Sequence, residues 1–76
     1  MSNNRSVYHV VPFDDLWAVK LAGDSLNEYA DNKDIAVTRA KELARRSTLG
    51  QVVVHGRDGK IEQEFYFGEE PSRAPR

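Results

Sequence analysis

Apolar residues recur along this 76-residue chain with two different periods, and the change of period marks out its elements. Residues 6–12 (SVYHVVP) are rich in β-branched and aromatic side chains, which suit a pleated, buried surface. Pro12, Phe13, Asp14 and Asp15 interrupt that run. Residues 16–21 (LWAVKL) resume it, with Trp17, Val19 and Leu21 on one side and Ala18 and Lys20 on the other. A period of two predicts a strand, and the two runs are close enough to form a hairpin. Residues 22–30 read as a polar connection.

The period then changes. Ala36, Val37, Ala40, Leu43 and Ala44 recur at spacings of three and four, which predicts a helix with one apolar stripe. Asp31 or Asn32 can cap its first turn, and Asp34 places negative charge at the positive end of the helix dipole. Arg45 and Arg46 suit its other end, and Gly50 is placed to help terminate the segment. Residues 51–55 (QVVVH) are too short and too β-branched for a second helix. Gly56-Arg57-Asp58-Gly59 is a turn signal, and residues 61–67 (IEQEFYF) alternate, with Ile61, Phe65 and Phe67 opposed to Glu62 and Glu64.

The order ββαββ predicts an α+β domain spanning residues 6–67. Its two most apolar strands, the first and third, belong in the centre. The expected sheet has four antiparallel strands in the order 2-1-3-4, with the helix across one face. Residues 1–5 read as a polar leader, and residues 68–76, with two prolines and no periodicity, as a disordered tail. One helix covers only one face of such a sheet, so the other must meet water or a partner.

Composition narrows the chemistry. The chain has no cysteine, which excludes disulfides, thiolate metal sites and cysteine nucleophiles. Eleven Lys and Arg against twelve Asp and Glu give a net charge of −1, so overall charge predicts no attraction to nucleic acid or to anionic membrane. No apolar run approaches the ~20 residues of a membrane span, and the polar N-terminus lacks a secretory signal. A cytoplasmic location is expected.

Tyr8-His9-Val10-Val11-Pro12 followed by Trp17-Ala18-Val19-Lys20 resembles the opening of the domain of unknown function 2188 family. The helix from Ala36 to Ala44 and the stretch Val53-Val54-His55-Gly56-Arg57-Asp58-Gly59-Lys60-Ile61 are similar to the rest of that pattern. The resemblance implies a small bacterial or phage protein with no established activity, and it carries no catalytic or binding residues to transfer. The family's first turn usually holds glycines, where this chain has Phe13-Asp14-Asp15-Leu16.

Candidate chemistry is sparse. His9 and His55 are the two histidines, and with their strands adjacent both fall on the face away from the helix. A closed metal site needs three or four ligands, so no metal and no cofactor is expected. The serines lie at element ends or in loops, without an orienting base and acid, and a domain of this size lacks the walls of a substrate pocket. An enzyme is not expected.

Two surfaces remain. The outward set Val7, His9, Val11, Ala18, Val53 and His55 is unusually apolar and predicts either an interface with itself or another protein, or a cover of loops and tail. Arg39, Arg45, Arg46, Arg57 and Lys60 are candidate contacts for nucleic acid, the alternative being helix-end charges in local pairs. No aromatic stands among them in sequence to stack on bases.

Overall fold

A computed structural model describes residues 5–25 and 27–68. Strands β1 (Ser6–Phe13) and β2 (Leu16–Leu21) form the first hairpin, and β3 (Asn27–Ala30) follows. Helix α1 (Lys33–Arg45) leads into the second hairpin, β4 (Leu49–His55) and β5 (Ile61–Gly68). The five strands form one sheet in the order β3-β2-β1-β4-β5.

Two features of the expected sheet are corrected here. Residues 27–30 are a fifth strand, hydrogen-bonded antiparallel to β2 with Trp17 opposite Ala30 and Ala18 opposite Tyr29. The central pair, β1 and β4, is parallel rather than antiparallel. The second follows from the first: each added antiparallel strand reverses the chain, so an odd strand before the helix reverses the direction in which β4 enters. The adjacency of the two apolar strands, and the neighbours on either side of them, is as expected. The expected leader and tail fall on residues 1–4 and 69–76, outside the described residues. Arg5 and Gly68 are described, and Gly68 closes β5 opposite Leu49.

The helix begins where the sequence allows a cap. The Asn32 side chain accepts a hydrogen bond from the Ile35 backbone N–H at 2.9 Å, with Asn32 itself in extended conformation. Ala36, Ala40 and Ala44 form a fully buried stripe spaced by one turn, so the helix axis lies close over the sheet. Beneath it Val10, Val19, Val52 and Val54 are fully buried, with Tyr8 and Trp17 nearly so. Val37, Leu43, Leu21, Phe65 and Phe67 pack around this cluster.

Gly50 does not terminate the helix. It lies in β4 directly under the helix end, where a Cβ would collide with the Ala44 carbonyl oxygen and stand 2.9 Å from the Ala44 Cβ. The two-residue turn between β1 and β2 puts Asp14 at φ 52°, the left-handed region that favours glycine.

Two stability measurements check this packing. Gly50→Ala must push the helix off the sheet and should cost about 1–3 kcal/mol in chemical denaturation. Asp14→Gly relieves the turn and should add a few tenths of a kcal/mol or more, seen as a rise in Tm of a few degrees.

Candidate functional site

Alternation along the strands sends every second side chain to the face opposite the helix. Among the described residues the helix contacts all five strands, and no element packs on that outer face. The register sets Lys20, His9, Val53 and Glu64 in one row across β2, β1, β4 and β5.

His9 and His55 meet in the middle. His9 Nδ1 and His55 Nε2 are 3.1 Å apart, the ring centroids are 5.3 Å apart, and the ring planes are inclined by 31°. A single N–H shared between the two nitrogens accounts for that distance, with one ring donating and the other accepting. Burial, and after it the neighbouring His55 imidazole, holds His9 below the ordinary 6.5 for its pKa.

The expected outward residues all lie on this face, but not all are open to solvent. Val7, His9, Val11 and His55 are half-buried, whereas Ala18 is fully buried and Val53 is only 5% exposed. Larger side chains in adjacent strands shade these two small ones. The open apolar surface comes instead from Phe13, Tyr29, Ile61 and Tyr66, each about half exposed. Phe13 and Tyr29 lean together with centroids 5.1 Å apart.

Two of these four carry no sequence signal that places them. Tyr29 sits in a stretch too polar to announce a strand. Ile61 was expected beside Phe65 and Phe67, but a register shift at Val54 and His55 sets Ile61 opposite His55 instead. Tyr66 was legible from the alternation of β5. Its hydroxyl donates to Glu64 Oε1 at 2.6 Å, and Arg5 lies over its ring at 5.5 Å.

The basic candidates do not converge. Arg39 donates from Nε and Nη2 to both carboxylate oxygens of Glu28, at 2.8 and 3.2 Å, and reaches Glu42 at 3.3 Å. Glu42 thus pairs with Arg39. The hydrogen bond from Arg39 lowers the pKa of Glu28, and the reciprocal contact raises that of Arg39. Arg57 stacks over Trp17 at 5.1 Å, where Lys33 also lies at 5.3 Å while pairing with Glu62. Lys41 and Arg45 cover Phe65 and Phe67 at 4.0 and 5.5 Å. Aromatic rings do accompany these charges in space, but as partners already occupied. Lys33 and Arg45 mark opposite ends of the helix, about 18 Å apart along its axis. Arg57 and Lys60 share the Lys33 end, while Arg45 and Arg46 stand at the other.

A shallow depression of about 370 Å³ lies along Asp34, Ile35, Thr38, Arg39 and Glu42, all from the helix, so nothing encloses it. Among the described residues no three His, Asp or Glu side chains gather as metal ligands, and no helix is long and apolar enough to cross a membrane.

The sequence matches the family described as an uncharacterized protein conserved in bacteria, DUF2188, over residues 8–66. The chain belongs to the DUF2188 family. No curated protein and no solved structure matches it. The matched span runs from the start of the central strand β1 almost to the end of β5, so the DUF2188 domain includes both histidines, the helix and β3.

The His9 environment sets a pH dependence. An unfolded chain takes up this proton near pH 6.5, the folded one only at lower pH. Stability is therefore complete above about pH 6.5 and is lost as pH falls through that value toward the folded pKa. Tm should fall between about pH 7.5 and 5, and His9→Gln should flatten that slope; a flat wild-type profile would contradict it. The Glu28 contribution is lost separately, below about pH 4.5, and should survive in the variant.

Proposed function

We propose that this domain is a non-catalytic protein-binding module whose working surface is the outer face of the sheet, and that a second copy of the chain occupies it. The observation that carries this reading is the exposure of Phe13, Tyr29, Ile61 and Tyr66 on a face that no described element covers. Together with the half-buried Val7 and Val11 between them, these side chains make the face more apolar than a solvated sheet surface.

A second copy fits the charge pattern. Lys20 and Glu64 flank the central pair His9 and Val53 symmetrically, one strand out on each side. A two-fold axis parallel to the strands and midway between β1 and β4 exchanges these positions. Each Lys20 then faces the Glu64 of the other copy, twice over. Such an interface is self-complementary, as a closed dimer requires.

Its size sets its strength. That axis pairs four strands, β3 lying outside the overlap, and four strands spaced ~4.8 Å apart and about six residues long make a face of roughly 19 by 20 Å. That is on the order of 800 Å² buried in total, below the usual size for tight association, so dissociation belongs at roughly tens of micromolar. A nucleic-acid role gains no comparable support, because Arg39, Arg45 and Arg57 are engaged within the fold.

Charge exchange tests the pairing. Lys20→Glu and Glu64→Lys should each weaken dimerisation about tenfold in sedimentation equilibrium, and the double exchange should restore it. A wild-type chain that stays monomeric at 100-fold above about 1 μM, or single variants that associate as tightly as wild type, would remove this reading.

A further inference from the structure

We infer that His9 and His55 form a two-tooth chelating site for a late first-row divalent cation such as Cu(II), Ni(II) or Zn(II). Two imidazole nitrogens bound to one ion at about 2.0–2.1 Å, with an angle between tetrahedral and square, stand about 2.9–3.4 Å apart. His9 Nδ1 and His55 Nε2 stand 3.1 Å apart and are aimed at one another. The ion would replace the proton they share and sit to one side of the line between them, each ring turning by about 40° to bring its lone pair onto it.

The scaffold holds this spacing in advance. The two histidines belong to the central strands β1 and β4, locked in parallel register from Ser6 opposite Gly50 to Val10 opposite Val54. Val10 and Val54, next to them in sequence, are fully buried on the helix side. Ligands fixed on strands keep their geometry without the ordering cost that ligands on a loop would incur. Both rings are half-buried, so one flank of the pair stays open to water.

The ligand count sets the character of the site. With no third His, Asp or Glu joining the pair among the described residues, this is not a closed structural centre. The remaining coordination positions go to water, or to a carboxylate or imidazole offered by another molecule. Affinity should follow the usual order, with Cu(II) bound more tightly than Ni(II) or Zn(II). The charged neighbours in the same row are Lys20 beside His9 and Glu64 beside Val53, one opposing a cation and one favouring it. This site stands on the geometry of a single chain and does not depend on two copies pairing.

The test is titration of the whole chain with Cu(II) and with Zn(II) in a non-coordinating buffer. Cu(II) bound at micromolar concentration should give an electron paramagnetic resonance spectrum with splitting from two imidazole nitrogens. Zn(II) should shift the ring proton resonances of both histidines together. His9→Gln and His55→Gln should each remain folded by circular dichroism, weaken Cu(II) binding at least about tenfold and leave one nitrogen in the spectrum. Binding that is unchanged in either variant, or no uptake of Cu(II) at micromolar concentration, would overturn the assignment.

Discussion

Close contact between one short helix and the sheet beneath it is the constraint on which the rest of this domain depends. Thirteen residues must roof five strands. They manage it by presenting nothing larger than alanine at the three positions of closest approach, and by meeting a glycine where the helix ends over β4. The helix then lies low enough for its flanks to reach outward. Lys41 and Arg45 extend over Phe65 and Phe67 of β5, and Arg39 grips Glu28 of β3. The long stems of these cations widen the roof beyond the width of the helix itself. Arg39 and Arg45, which look like part of a binding surface in the sequence, therefore also serve in the structure's own cover.

Among the described residues, the same economy leaves the far side of the sheet uncovered. A second helix is absent from the described residues, and the strands there carry side chains intermediate between core and surface. Valine, histidine and tyrosine alternate with Lys20 and Glu64 in a pattern neither fully apolar nor fully polar. The histidine pair sits at the centre of that mixture because β1 and β4 are neighbours, with His55 the last residue of β4, one step past the final β1–β4 pair.

Much of this was legible in the chain. The helix followed from its stripe of Ala36, Ala40 and Ala44, the hairpins from their turns, and the placing of His9 and His55 on one face from the adjacency of the two most apolar runs. What escaped was the short edge strand. Asn-Glu-Tyr-Ala lacks the β-branched content that marks a strand, and it is held by pairing with β2 and by the Arg39 ion pair, neither of which its own four residues announce. Without that strand the chain would enter β4 in the opposite direction, antiparallel to β1. The exposure of Ile61 was hidden for a similar reason, since a bulge shifts the alternation that sequence reading takes as uniform. The shading of Ala18 and Val53 depends on which residues stand in adjacent strands, and that too is a property of register.

The parallel pairing at the centre of the sheet also governs how the domain assembles. β1 is made early and pairs with β2 after a turn of two residues, but its other edge waits for β4, more than forty positions along the chain. Until that segment arrives, the most apolar strand of the molecule is a free edge, able to join a neighbouring chain as readily as its own. Closing so distant a contact is intrinsically slow. The helix shortens the wait by carrying the chain back across the sheet. Folding of this domain is thus a race between its own return stroke and the meeting of two unfinished copies, and its outcome should shift with concentration.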